Sequence, residues 1–340
     1  MSKTKELKRS IIESEQWDPF VRSHEYGHPF QLSGWGELKK TVGWQSRLIG
    51  YFQDDELVTG AQMLFLPAPL TGRKLAYVPR GPLLAPDSYE IGFVLEDLAL
   101  VAKENKAFYL KIEPAWLESD ADIDKPWRRS KETIIHEKTL ITNLKHENEE
   151  QITAQMSQKA RRFARKAVKE GVEVCQLEDE SQLDTVYELY KETSARAGFG
   201  IHPQKYHDDC YQYLGDNNEI LLAYKQDRPV AFLWGAHTDQ VGIYLYGGSN
   251  QEGRESYANY VLQMELIKRY FNKDIKYYDL NGALAGGVAS FKSAFASEEI
   301  DWIGALDLPI NKPIYSAWSK ANPLLKPLAK SLKRLKESRS

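Results

Sequence analysis

Residues 277–282 read Tyr277-Tyr278-Asp279-Leu280-Asn281-Gly282, and the chain soon continues with Phe291-Lys292-Ser293-Ala294-Phe295. The aromatic pair follows a helical pattern and suits a strand. Asp279, Asn281 and Gly282 then fall at the strand end, where polar groups and open backbone can face a ligand. A lysine set between two phenylalanines comes next. Alone, this stretch also reads as an ordinary turn with a surface lysine. A second cluster lies far upstream: Gln31, Trp35, Gly36 and Lys39, followed by Tyr77-Val78-Pro79-Arg80-Gly81-Pro82.

Outward from these stretches the periodicities alternate. Trp35 to Val42 suits a helix, Trp44 to Tyr51 and Leu57 to Phe65 read as strands joined at Asp54-Asp55, and Lys74 to Val78 is a strand stopped by Pro79. Ile91 to Lys103 has helical spacing, and Ala107 to Ile112 is a strand running into Glu113. Gln151 to Glu170 reads as one amphipathic helix with Gly171 as its stop. Val172 to Leu177 is a strand and Ser181 to Arg196 a helix. Strands at Ile220 to Tyr224, Pro229 to Thr238 and Val241 to Gly247 form a meander, and a helix from Tyr257 to Phe271 leads into the Tyr277 strand. The second half thus repeats the order of the first. That predicts an α/β (α+β) chain of two related domains, divided near the acidic run Glu147–Glu150.

Taken together, the two clusters resemble the Fem family of peptidoglycan aminoacyltransferases, which add amino acids from aminoacyl-tRNA to a cell-wall precursor. Further matches are Arg196 with Gly198-Phe199, then Tyr206, and Tyr244 to Ser249. The resemblance implies two tandem acetyltransferase-like domains, 1–148 (precursor-binding) and 149–311, with a basic C-terminal helix, 312–340, returning to the first. Between Lys166 and Arg196 there is no room for the coiled-coil arm of some members, so the compact, FemX-like form is expected. The implied partners are a lipid-linked or UDP-linked muropeptide and aminoacyl-tRNA as co-substrate, without a cofactor, in a monomer.

The resemblance also distributes roles. Lys39 binds the precursor's phosphates, for which a compact ammonium is suited. His202 stands where compact members can carry an arginine sharing that load, four residues before the tyrosine matched by Tyr206. A neutral imidazole donates one hydrogen bond where arginine offers a charged fork, so either the diphosphate is held less tightly, or His202 is protonated, or Arg196 takes over. Glu113 falls where an aspartate lies near the acceptor peptide; a strand-terminating surface acid is the plainer reading. Tyr244, Tyr246 and Phe291 complete the substrate-binding set. Lys159, Arg162 and Arg165, with Arg161 and Lys166, lie within two turns of one helix and would meet tRNA phosphates, although such runs are commonly solvated faces.

Lys292 is the residue expected to carry the chemistry. Attack of an amine on an aminoacyl ester builds negative charge on the carbonyl and leaving oxygens, which a fixed cation stabilises. Asp279 would hold the amine or structure the loop.

With 42% hydrophobic and 27% charged residues in 340, wholesale disorder is excluded. A net charge of −3 excludes coating of nucleic acid by bulk charge but leaves a local patch open. Two cysteines, Cys175 and Cys210, make no disulfide framework. Met1 to Glu6 leads into no apolar core, and no run approaches about 20 apolar residues, so neither signal peptide nor bilayer span is expected. The expected location is cytoplasmic. His202, His207, Asp208 and Cys210 fit no standard zinc spacing. From Trp318 to Arg339 the tail is basic and roughly amphipathic, suited to docking on the first domain and to attraction by an anionic inner membrane face. Two rivals use the same fold: an acetyl-CoA N-acyltransferase and a non-catalytic membrane-surface protein. Gly247-Gly248-Ser249-Asn250-Gln251-Glu252-Gly253 lacks the Gln/Arg-x-x-Gly-x-Gly spacing of the first.

Overall fold

The computed structural model of the chain describes residues 7–69, 71–119, 125–282 and 287–321. A short strand (β1, Lys8–Ile11) and two helices (α1, Ser14–Ser23; α2, Ser33–Lys40) open the chain. A meander follows: β2 (Gln45–Gln53), β3 (Glu56–Ala68) and β4 (Arg73–Pro79). Asp54 (φ 50°) and Asp55 (φ 66°) turn β2 into β3, using the left-handed backbone that aspartate tolerates better than most residues. Helix α3 (Ile91–Glu104) buries Val94, Leu98 and Val101 and carries the chain to β5 (Ala107–Glu113), which lies parallel to β4. A two-residue strand, β6 (Arg128–Arg129), and β7 (Lys138–Asn143) come next.

In the second half, α4 (Glu149–Gln155), α5 (Gln158–Lys169), β8 (Val172–Gln176), α6 (Gln182–Ala197) and α7 (Gln204–Leu214) precede a second meander. Its strands are β9 (Asn218–Lys225), β10 (Arg228–His237) and β11 (Val241–Ser249). After α8 (Gln251–Glu255), α9 (Ala258–Asn272) crosses to β12 (Tyr277–Asp279), parallel to β11. Helix α10 (Gly287–Ser293), β13 (Glu298–Asp301) and β14 (Leu306–Pro309) follow, and residues 312–321 are helical.

The strands form two seven-stranded sheets, ordered β1-β2-β3-β4-β5-β14-β6 and β13-β7-β12-β11-β10-β9-β8. Each contains a meander, a crossover helix and one parallel pair, so the repeat read from the sequence is present. The sheets do not divide the chain at the acidic run. Strand β7 precedes that run yet pairs with β12 in the second sheet, and β14 comes near the end yet pairs with β5 in the first. The two occupy equivalent seats, each beside the strand that ends the parallel pair. The acidic run has a local cause: Asn148 caps α4 by accepting from Gln151 N at 3.0 Å, and Glu149 and Glu150 fill the first turn, where the helix dipole favours negative charge.

The single helix expected over Gln151–Glu170 is two. Met156 has extended backbone, and Ser157 starts α5 as a side-chain cap on Ala160 N at 3.1 Å. The Ser157 amide donates to Ala294 O at 2.9 Å, so the break is tied to the segment behind Lys292. Strand β8 and helix α6 take up most of the stretch between Lys166 and Arg196. The returning helix meets the first sheet, with Trp318 edge-on to Phe108 (5.7 Å) and Tyr315 against Tyr109 (5.4 Å). The basic stretch of the tail beyond residue 321 lies outside the described residues.

Candidate active site

Lys39 ends α2, and the elements around it explain its direction. A Cβ on Gly36 would come within 2.1 Å of Gln62 Oε1, so glycine lets α2 lie close on β2 and β3. Gln31 donates to Pro79 O (2.5 Å) and accepts from Gln62 N (2.7 Å), tying the segment before α2 to the middle of β3 and the end of β4. Trp35 stacks on Phe30 at 4.3 Å, and its ring lies 4.2 Å below Lys39 Nζ. The ammonium then donates to Tyr206 OH on α7 at 2.8 Å. Burial draws the Lys39 pKa down to about 8, partly opposed by the nearby Cys210 thiol. His202 stacks on the Tyr206 ring at 4.0 Å. Arg196, by contrast, is exposed on the last turn of α6 and makes no hydrogen bond or ion pair with this group.

The second group surrounds Lys292. This residue sits on α10 and is 5% exposed, not a surface lysine. Its Nζ donates to Asn281 O at 2.9 Å and lies 5.0 Å from the Tyr244 ring centre. Burial lowers its pKa to about 8, while the charge of Asp279 works the other way. Asn281 (φ 55°) and Gly282 (φ 98°) turn the backbone so that this carbonyl faces the ammonium. Asp279 Oδ1 accepts from the Thr139 hydroxyl and from Asn281 N, fixing the turn from β7. Thr139 went unnoticed in the sequence because its partner is 140 residues away.

Tyr244 and Tyr246 belong to different groups. Alternation along a strand would put both on one face. The β10–β11 register shifts after the Trp234–Tyr246 pair, so that Gly235 faces Tyr244 and Leu245 is left over as a bulge. Tyr244 therefore reaches Lys292, and Tyr246 packs 5.1 Å from His207 and 5.5 Å from Trp234, beside Tyr206. Two residues of β11, roughly 7 Å of strand, thus bridge the Lys39 and Lys292 groups.

Glu113 is buried rather than a surface acid, and its carboxylate is occupied. Oε1 accepts from Ile134 N (2.6 Å), and Oε2 from Tyr77 OH (2.5 Å) and Ile135 N (3.0 Å). Burial raises its pKa, against the pull of those bonds.

Helix α5 carries Lys159, Arg161, Arg162, Arg165, Lys166 and Lys169 and no acid. Its apolar side is mostly alanine, and its one aromatic, Phe163, stacks on Tyr257 at 4.3 Å and 9°. Tyr257 holds a left-handed backbone (φ 61°), and Lys166 Nζ covers its ring at 4.6 Å. Phe163 also meets Tyr260 edge-on (5.1 Å), and Tyr260 meets Phe291 (5.0 Å), the neighbour of Lys292. A row of rings so connects the basic helix to the buried lysine.

Between the two halves lies a cleft of about 1090 Å³. Asp279 and Ile141 line it from the second sheet, and His28, Arg80, Trp116 and Leu117 from the first half.

Two sheets of matching layout, with a buried lysine beside the second, define a tandem acyltransferase fold. Residues 12–139 match the FemAB family model and residues 154–293 that of the acetyltransferase (GNAT) domain. The chain is thus similar to the FemAB family over much of its first half and to the GNAT domain over much of its second. It is 24% identical to the lipid II:glycine glycyltransferase of Staphylococcus aureus (strain USA300), over 94% of this chain and 97% of that protein. The alignment spans 414 positions against 340 residues here, so that relative holds segments this chain lacks. Among solved structures, FemX superposes with a TM-score of 0.84 at 22% identity, covering 92% of this chain and 100% of FemX. A tandem GNAT protein from the clavulanic acid biosynthesis pathway superposes with a TM-score of 0.50 at 12% identity, covering 89% and 98%.

Proposed function

We propose that the chain transfers an amino acid from aminoacyl-tRNA to an amine on the stem peptide of a peptidoglycan precursor, forming part of the interpeptide bridge. The observation that carries this reading is the Lys292 ammonium, buried yet held, among the described residues, by one carbonyl and one aromatic face. The attacking amine forms a C–N bond to the ester carbonyl while the carbonyl oxygen takes up the electron pair. Collapse breaks the C–O bond to the ribose oxygen, and the proton lost by the amine ends on that oxygen. A fixed cation at low dielectric stabilises both oxygens as their charge develops. With a pKa near 8, Lys292 is charged at neutral pH and close enough to neutrality to donate a proton to the leaving oxygen.

The Lys39, Tyr206 and His202 group would take the precursor's diphosphate, whether nucleotide-linked or lipid-linked. Helix α5 and its rings suit the donor: cations for phosphates, and stacked aromatics for unpaired bases of an acceptor end. The acetyl-CoA alternative has the GNAT match in its favour. Against it, Gly247 and Gly248 lie within β11, and Asn250 takes the Gly253 amide at 2.9 Å. Among the described residues no helix is long and apolar enough to cross a membrane, so contact with a lipid-linked acceptor would be peripheral. The test is transfer of radiolabel from charged tRNA to lipid-linked and nucleotide-linked precursor, run beside labelled acetyl-CoA. Label moving only from acetyl-CoA would overturn the reading.

A further inference from the structure

The Tyr77–Pro82 motif contains a residue that the reaction centre leaves unused. Arg80 follows β4 with a left-handed backbone (φ 50°), costly for a bulky side chain, and its amide donates to Glu113 O at 2.8 Å. The residue is 4% exposed and lines the cleft between the two halves. Its guanidinium lies 4.9 Å from the Trp302 ring centre and makes no hydrogen bond to any described residue. Its five N–H donors are open to the cleft and available to a ligand's acceptors. Glu113, though close enough to act on Arg80 electrostatically, has both oxygens engaged elsewhere.

Asp279 supplies the opposite charge in the same cleft. Its Oδ1 holds Thr139 and Asn281, whereas Oδ2 has no hydrogen bond among the described residues. A free guanidinium and a free carboxylate oxygen thus face one cavity without bonding each other. A polyanion would satisfy Arg80 but meet Asp279, and the rim sets Lys145 and Lys276 against Glu25, Glu147, Asp274 and Glu298, so the lining as a whole opposes a polyanion. A ligand with one negative and one positive end satisfies both groups, and Trp116 and Trp302 offer apolar walls for what lies between. The volume is of the size that holds a short peptide (roughly 300–1,000 Å³ for small-molecule sites).

We propose that this cleft seats a peptide carrying both a free carboxylate and a primary amine, with Arg80 receiving the carboxylate and Asp279 the amine. This rests on the reading above that the acceptor is an amine-bearing peptide, and it assigns the acceptor's far end to the Arg80 motif. Because Asp279 and Lys292 act on each other electrostatically, the amine would be presented beside the lysine.

The test uses the full chain and three probes by titration calorimetry: N-acetyl-Lys-Ala-Ala as free acid, its C-terminal amide, and the free acid with norleucine replacing lysine. Wild type is expected to bind the first at least about tenfold more tightly than either other, the scale of a lost charged hydrogen bond. In Arg80→Met the acid–amide difference should vanish, and in Asp279→Asn the lysine–norleucine difference should vanish. Circular dichroism checks folding; if Arg80→Met does not fold, the wild-type acid–amide pair and Arg80→Lys, expected to keep only part of the preference, decide. Equal binding of acid and amide by wild type overturns the proposal, as does full preference in a folded Arg80→Met. Arg80-dependent binding of inorganic phosphate with no acid–amide preference also overturns it, in favour of a phosphate site. Transfer from charged tRNA is measured separately: transfer without acid–amide preference removes this inference alone, and preference without transfer removes only the assigned reaction.

Discussion

Lys39 Nζ donates to Tyr206 OH at 2.8 Å, and that bond joins α2 of the first half to α7 of the second. The same ammonium lies over Trp35, so its position is fixed from below by one half and laterally by the other. Lys39→Met should weaken binding of a diphosphate-bearing precursor about tenfold or more, as expected on loss of a charge-assisted contact. Tyr206→Phe should weaken it less, because the cation remains. Calorimetry with nucleotide-linked precursor checks both, and equal loss in the two variants would make the tyrosine the ligand.

Lys292→Met should lower single-turnover transfer at saturating precursor by roughly 10²–10³, the usual cost of one electrostatic contact in the transition state. Precursor affinity should change little. The same variant should be more stable than wild type, since a buried ammonium drawn from 10.5 to about 8 is a standing cost, on the order of 3 kcal/mol at neutral pH. Thermal unfolding with an unchanged or lower Tm would contradict that account.

The pH dependence follows from the same two lysines. Each has its folded pKa near 8, below the ordinary 10.5, so both lose their proton as pH rises through 8. Transfer and precursor binding should therefore decline above about pH 8, with binding set by Lys39 and the chemical step by Lys292. Stability should move oppositely: from pH 8 to 10.5 the unfolded chain holds protons that the folded chain has released, so these groups favour folding increasingly as pH rises. A transfer rate that keeps climbing to pH 10 would exclude a cationic role for Lys292.

On α5, replacing Lys159, Arg162 and Arg165 together by glutamine should raise KM for charged tRNA and flatten its dependence on salt, because fewer counterions are released on binding. With nucleotide-linked precursor at fixed tRNA, the acceptor KM should stay unchanged. An unaltered salt slope would return this helix to a solvated face.

At Gly282 the backbone is left-handed (φ 98°), and a Cβ would meet the His136 ring at 2.5 Å. Gly282→Ala should displace the Asn281 carbonyl that holds Lys292, lowering transfer while the Lys39 site keeps its affinity. Full activity in this variant would show that the carbonyl does not set the lysine's direction.

Much of this was legible in the chain. The Asp54-Asp55 turn announced itself, and the repeated strand and helix periods gave the duplication. What escaped is non-local. Strand β7 (Lys138–Asn143) shows no alternation and no sign of its partner, and its seat beside β12 depends on residues 134 or more positions downstream. The α4–α5 break was masked because Ile152, Met156 and Ala160 keep helical spacing across it, and only the Ser157 cap marks it. Tyr244 and Tyr246 look equivalent until the bulge at Leu245 separates them. Glu113 at a strand end gave no hint that the Ile134 and Ile135 amides would close over it.

The exchange of β7 and β14 has a consequence for how this protein can be taken apart. A chain divided at the acidic run would give a first piece that lacks β14, leaving β5 with an unpaired edge, and a second piece without β7, leaving β12 and β13 without the strand between them. Bare edges of that kind template aggregation. Two genes encoding the halves would not yield two soluble modules. A split that respects the sheets requires circular permutation, with new ends placed so that β7 travels with the second meander and β14 with the first. The two units are therefore alike in outline but inseparable in practice, and the geometry that faces Lys39 toward Tyr206 is set by a covalent interlacing rather than by a docked interface.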